Sequence, residues 1–185
     1  MGRRIKLMKL FIAGGNRKFE DEPLKYIVSM SKRLGIQIEI LTDKIHLNKE
    51  CKSFKNLKNF LIKNQIKHRV FNNLNLEFSK IKKSLIGRNN YLLATNCIWI
   101  FKNNILNMFK NKIFNLHIGI LPTQKGAGGA SWQLMARNKV SAATIHQMTN
   151  TIDDGKILFE KKFKINKEIS LVEYYKIAAK AEKKY

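Results

Sequence analysis

The sequence predicts an α/β fold with an open, mostly parallel sheet that ends in an antiparallel hairpin. Three observations carry this expectation. Short apolar runs alternate along the chain with segments of helical spacing, the order of elements that builds a parallel sheet. One of these runs, residues 91–95, is compactly apolar after Gly87, as strands covered on both faces are. Near the C-terminal end, residues 141–148 and 156–165 alternate as strands around Asp153-Asp154-Gly155, and a turn of that kind joins antiparallel neighbours.

Taken in order, residues 5–13 are apolar enough for a first strand, which Gly14-Gly15-Asn16 breaks. Asp21, Glu22 and Pro23 open a helix, with acids near the positive end of its dipole. Leu24, Ile27, Val28 and Leu34 then recur at helical spacing, and Gly35 suits the cap. Residues 36–41 alternate, the pattern of a half-buried strand near a sheet edge. Within residues 51–66, Phe54, Leu57, Leu61 and Ile62 sketch a second helix with a lysine-rich outer face. A short strand over 67–71 and a third helix over 74–86 follow, and the apolar residues 98–109 read as helical. Residues 113–116 form a strand and residues 131–137 a helix. The glycines at 126, 128 and 129 either let backbone amides face an anion at that helix's N-terminus or form a flexible connection. Ser170 and Glu173 are spaced as a capping box, opening a terminal helix with Leu171, Tyr174, Tyr175 and Ala178 on one face.

A chain of 185 residues that is 44% hydrophobic is expected to form one domain with a real core. No run of about 18 uncharged apolar residues is present, and the first ten residues lack a secretory pattern, so no membrane contact and a cytoplasmic location are expected. Cys51 and Cys97 have no metal-type spacing, and no other His, Cys or Asp grouping does, so no metal is expected. The net charge of +23 invites a nucleic-acid reading. Against it, lysines far outnumber arginines and are dispersed among Asn and Ile, which suggests a solvated basic surface tolerant of anions. His46 and His68 lie in lysine-rich segments and read as solvated; Trp99 and Trp132 read as core.

Asn115 and His117 stand where a strand ends, two residues apart and so on one face. Ligands of open α/β sheets bind at the carboxyl ends of strands. An Asn amide can hydrogen-bond a carbonyl oxygen as it becomes an oxyanion, and a His can supply a proton or charge to the same centre. A carboxylate beside the imidazole fixes its orientation and favours its protonated form. Together these groups suit acyl transfer to an amine without a covalent enzyme intermediate. Each part also has a plainer reading: the Asn-x-His pair arises by chance, and Asp-Asp-Gly is most often a turn. His146 reads equally as a pocket wall and as a structural histidine.

Asn115-Leu-His117, Leu121-Pro122, Gly126-Ala127, Thr144-Ile-His146 and the segment from Ile152-Asp153 to Gly155-Lys-Ile-Leu158 resemble the formyltransferases that use 10-formyltetrahydrofolate. That family's signature is similar to Asn-x-His-x-Ser-x-Leu-Pro-x-x-x-Gly, then Thr-x-His and an Asp-x-Gly segment. The resemblance covers residues 113–160 closely. It implies a Rossmann-like doubly wound domain and a catalytic domain spanning residues 1–185, truncated or lacking an appended one, since the chain stops inside a helical pattern. It further implies that Asn115 and His117 polarise the formyl group and that Asp153 is the catalytic carboxylate. The folate would be walled by Thr95, Asn96, Cys97, Ile98, Trp99 and Ile100 and by Thr149, Asn150, Thr151 and Ile152. Gly14, Gly15 and Asn16 would contact a phosphorylated acceptor or serve as a plain strand-to-helix turn. This chain departs from the pattern at Ile118, where Pro is common, at Gly119, where Ser is usual, and at Lys125, where Arg is usual. Gly128 to Trp132 is unlike the matching segment of methionyl-tRNA formyltransferase. These departures bear on the acceptor and mark Gly119 and Lys125 as candidate substrate contacts.

The expectation is transfer of a formyl group from 10-formyltetrahydrofolate to a primary amine on a nucleotide-linked amino sugar. Alternatives in the same class are formylation of methionyl-tRNA and hydrolysis of formyltetrahydrofolate. A basic nucleic-acid-binding protein with an idle site is the alternative from another class.

Overall fold

The computed structural model describes residues 8–14, 22–50, 55–166 and 168–183. In chain order the elements are β1 (Lys9–Gly14), α1 (Glu22–Arg33), β2 (Gln37–Thr42), α2 (Lys44–Asn48), α3 (Leu57–Lys63), β3 (Lys67–Val70) and α4 (Leu74–Leu85). They continue with β4 (Asn90–Thr95), α5 (Asn103–Met108), β5 (Ile113–Ile118), α6 (Gly129–Met135), β6 (Val140–Gln147), β7 (Ile157–Lys164) and α7 (Leu171–Glu182). Successive side chains on a strand point to opposite faces, and here both faces are covered. Phe11, Ala13, Leu41, Leu92 and Ala94 pack with α4 and α5 on one side. Ile12 and Ile40 pack with α1, α2 and α3 on the other. Phe11, Leu41, Leu92 and Ile105 are completely buried, and burial of each such side chain stabilises by about 2–3 kcal/mol.

The sheet has seven strands in the order β3-β2-β1-β4-β5-β6-β7. β1 to β5 pair in parallel, while β6 runs antiparallel to β5 and β7 antiparallel to β6. The chain winds outward from β1 to β3, then crosses back to place β4 on the other side of β1. The switch in strand order therefore falls between β1 and β4, and their ends meet at Gly14 and Thr95. Gly14 has φ +133, and a Cβ there would lie 2.0 Å from the Thr95 carbonyl oxygen, so no side chain fits. α6 and α7 cover the β5–β7 end through Ala130, Ile165, Tyr174 and Ala178. The doubly wound, mostly parallel architecture with a C-terminal antiparallel pair is as expected.

Local chemistry sets the helix ends. Asn56, Asn73 and Ser170 accept backbone N–H groups at the starts of α3, α4 and α7, and Ser170 with Glu173 completes a capping box. Glu39 of β2 is fully buried and links three strands: Lys9 of β1 donates to Oε2 at 2.6 Å, and Arg69 Nε of β3 lies 2.5 Å from Oε1. These cations outweigh the effect of burial and hold the carboxyl below its ordinary range.

Several expectations are corrected. Residues 98–102 are extended rather than helical, and only Asn103–Met108 coil. Within 51–66 the helix is confined to Leu57–Lys63, with residues 51–54 outside the described residues and the short α2 added upstream. His46 is buried rather than solvated, because Asp43 caps α2: its Oδ1 accepts the His46 N–H at 2.9 Å and its Oδ2 faces Nδ1 at 2.5 Å. His68 is half-buried on β3. Trp99 is core, but Trp132 is 66% exposed because Gln133 takes the inward position on α6, where its Oε1 accepts from Tyr174 Oη. Among the described residues no helix is long and apolar enough to cross a membrane.

Candidate active site

β5 brings Asn115 and His117 to one face, and antiparallel pairing sets His146 of β6 directly opposite Asn115. The turn after β6 completes the group. At Gly155 a Cβ would lie 1.7 Å from the Gln147 carbonyl oxygen, so only glycine lets this turn fold back onto β6. Asp153, in the left-handed region at φ 50, then points inward. Its Oδ1 accepts from Asn115 Nδ2 at 3.2 Å and faces His146 Nε2 at 3.2 Å. Its Oδ2 accepts the Gly126 N–H at 2.9 Å and faces His117 Nδ1 at 3.5 Å.

The imidazoles are oriented by backbone carbonyls. His117 Nε2 donates to the Gln124 oxygen at 2.6 Å, and His146 Nδ1 donates to the Gln147 oxygen at 3.0 Å. Each ring thus spends one N–H on the backbone and turns its other nitrogen to Asp153. Burial alone would push the Asp153 carboxyl up. The His146 contact, the Gly126 amide and the electrostatic pull of the two imidazoles outweigh burial and bring it down to about 2. Asp153 is therefore ionised throughout the neutral range.

These side chains open onto a cavity of about 600 Å³ at the carboxyl ends of β4 and β5, a volume suited to a small-molecule ligand. Of the ten residues expected to wall the folate, Asn96, Cys97, Ile98, Trp99, Ile100, Thr149, Asn150, Thr151 and Ile152 line it. Thr95 is buried behind that wall. Burial pushes the Cys97 thiol up to about 12, away from the thiolate form. Gly14 lies against Thr95, while Gly15 and Asn16 fall outside the described residues. Gly119 sits behind His117: a Cβ there would lie 2.6 Å from His117 Nε2 and 2.6 Å from the Gln124 oxygen. Lys125 forms an ion pair with Asp154 beside the cavity. In the glycine run the Gly126 amide, in the loop ahead of α6 rather than at its N-terminus, faces the Asp153 carboxylate.

Sequence reasoning missed Gln124, whose carbonyl orients His117, and Tyr175, which reaches the cavity from α7. The Gln124 role is carried by a backbone atom and leaves no side-chain signature. Among the described residues no group of three or more His, Cys, Asp or Glu is arranged to hold a metal ion.

A domain with this doubly wound sheet and an Asn, His and Asp gathered at its strand ends fits one class in comparison with known proteins. The formyl transferase family model matches residues 48–185, and the chain belongs to that family. It is 34% identical over 77 residues to the bifunctional polymyxin resistance protein ArnA of Wigglesworthia glossinidia brevipalpis, covering 42% of this chain and 12% of that protein. It is 37% identical over 76 residues to the methionyl-tRNA formyltransferase of Finegoldia magna, covering 41% of this chain and 24% of that one. The match thus spans less than a quarter of either relative's length. Among solved structures, phosphoribosylglycinamide formyltransferase from Anaplasma phagocytophilum shares the fold at TM-score 0.77 and 16% identity, over 96% of this chain and 82% of that one. A formyltetrahydrofolate deformylase from Pseudomonas syringae pv. tomato also has TM-score 0.77, at 13% identity, over 97% of this chain and 58% of that one.

Proposed function

We propose that this chain transfers a formyl group from 10-formyltetrahydrofolate to the primary amine of a nucleotide-linked amino sugar. The observation that carries the reading is the convergence of Asn115, His117 and Asp153 on one cavity at the strand ends. The apolar cavity wall, with Ile98, Ile100 and Ile152 each more than half exposed, suits the flat aromatic body of a folate.

In this reading the unprotonated amine attacks the formyl carbon, forming a C–N bond and a tetrahedral oxyanion. Asn115 donates to that oxygen, exchanging one of its present contacts with Asp153 and His146 for it. As the bond to N10 of the folate breaks, a proton leaves the attacking nitrogen and is returned to N10. His117 carries it, held in place by the Gln124 carbonyl and the Asp153 carboxylate. No metal is required by this scheme.

Lys125 supports a small acceptor over a polyanion, because its charge is already matched by Asp154. A second acceptor, methionyl-tRNA, is favoured by the relative of that name. Water as acceptor would give hydrolysis of the donor by the same residues. The test is incubation with formylated folate and a panel of amino-sugar nucleotides, methionyl-tRNA and no amine, with formylated products read by mass spectrometry. Formylation within the sugar panel is expected. Formylation of tRNA alone, or folate turnover without any amine, would replace the acceptor proposed here.

A further inference from the structure

Residues 98–101 form an extended lip along the cavity. Trp99 and Phe101 are buried in the core, Trp99 edge-on to Phe71 at 6.2 Å, while Ile98 and Ile100 are 55% and 66% exposed on the other side. Among the described residues no backbone–backbone hydrogen bond ties 98–101 to a neighbouring strand. The polar contacts at the end of the lip come instead from one side chain on α4. Asn75 Nδ2 donates to the Ile100 carbonyl at 2.9 Å, and Asn75 Oδ1 accepts the Lys102 N–H at 3.1 Å. A single amide thus reads the C=O and N–H of residues two apart, as a neighbouring strand would.

Asn75 is itself held firmly. The Asn73 side chain accepts the N–H groups of Asn75 and Leu76, and Glu77 Oε1 accepts those of Asn72 and Asn73. The clamp therefore stands on a capped, twelve-residue helix. Two aromatic anchors fix the depth of the lip, but they leave its free edge at Ile100 to Asn75.

Resting on the formyl-donor reading above, we infer that Asn75 is a positioning residue for donor binding. It holds the apolar edge formed by Ile98 and Ile100 against the folate, without touching the reacting atoms. Its loss raises the KM and Kd for the donor and leaves the chemical step alone.

The experiment follows Trp99 fluorescence on titration with 5-formyltetrahydrofolate in a Trp132→Phe background, alongside donor KM and kcat. Asn75→Ala removes both bonds, and Asn75→Asp keeps an acceptor for the Lys102 N–H but sets a carboxylate oxygen against the Ile100 carbonyl. Asn104→Ala, on the facing helix α5, is the control. Kd and KM for the donor are expected to rise about tenfold in Asn75→Ala, the weight of two hydrogen bonds that order a ligand wall. At least as large a rise is expected in Asn75→Asp, with kcat at saturating donor unchanged and the control behaving as wild type. Equal donor affinity in wild type and Asn75→Ala, or a fall in kcat with KM unchanged, overturns this inference alone. A wild-type protein that binds no folate overturns the donor reading and this inference with it.

Discussion

Asp153 is the residue on which the site converges, since both of its oxygens are engaged by groups from β5, β6 and the loop before α6. Its carboxyl is held at about 2, below its ordinary value of 3.8. A depressed folded-state value means that the contribution to stability is complete above the unfolded value and is lost as pH falls through the folded one. Wild-type stability is therefore expected to fall by about 2 kcal/mol between about pH 4 and pH 2 on account of this group, a loss that Asp153→Asn should not show in urea titrations across that window. Gly155→Ala forces a Cβ into the Gln147 carbonyl, and is expected to destabilise by about 3 kcal/mol. It should also lower activity by shifting Asp153, so that urea denaturation and a transfer assay move together. At this scale spacing alone put Asn115 and His117 on one face, while it was the resemblance to formyltransferases that singled out Asp153, which does meet them. The sequence was illegible where a polar residue takes an inward place. Gln133 is buried because Tyr174 satisfies it, which turns Trp132 outward, and His46 is buried because Asp43 pairs with it. Ranking residues by hydrophobicity cannot foresee such partners.

The elements that frame the site differ in how their ends are specified. α7 begins where its capping box places it, with Ser170 accepting from the Glu173 N–H and Glu173 accepting from the Ser170 N–H. Ser170→Ala is expected to cost about 1 kcal/mol, read as a lower urea midpoint with an unchanged slope. That signal is local in sequence, so the helix was foreseen closely. α5 was not, because residues 98–101 are all apolar and show no period that separates strand from helix. Only the fold decides: Trp99 and Phe101 are buried while Ile98 and Ile100 are exposed, a spacing of two that an extended chain satisfies, and all four line the cavity. The same segment forms the cavity wall, so the element that was misjudged is the one that gives the site its apolar side.

For the whole molecule, the parallel winding from β1 to β5 and the turn back through β6 and β7 place the strand ends, the cavity and the acidic turn together. This arrangement was legible because each alternation of apolar run and helical segment adds one strand to a parallel sheet. Strand order was not, since it depends on which side of β1 the crossover to β4 takes. No lysine or arginine lines the cavity among the described residues, so the charge of +23 lies outside it rather than building it. The central claim is that Asn115, His117 and Asp153 act together in formyl transfer. The most direct measurement is the rate at which saturating 10-formyltetrahydrofolate is converted to tetrahydrofolate with an amino-sugar nucleotide present, for wild type, His117→Ala and Asp153→Asn. The account predicts amine-dependent conversion by wild type and a loss of about 10²- to 10⁴-fold in each variant. Conversion that survives both substitutions at the wild-type rate would contradict it.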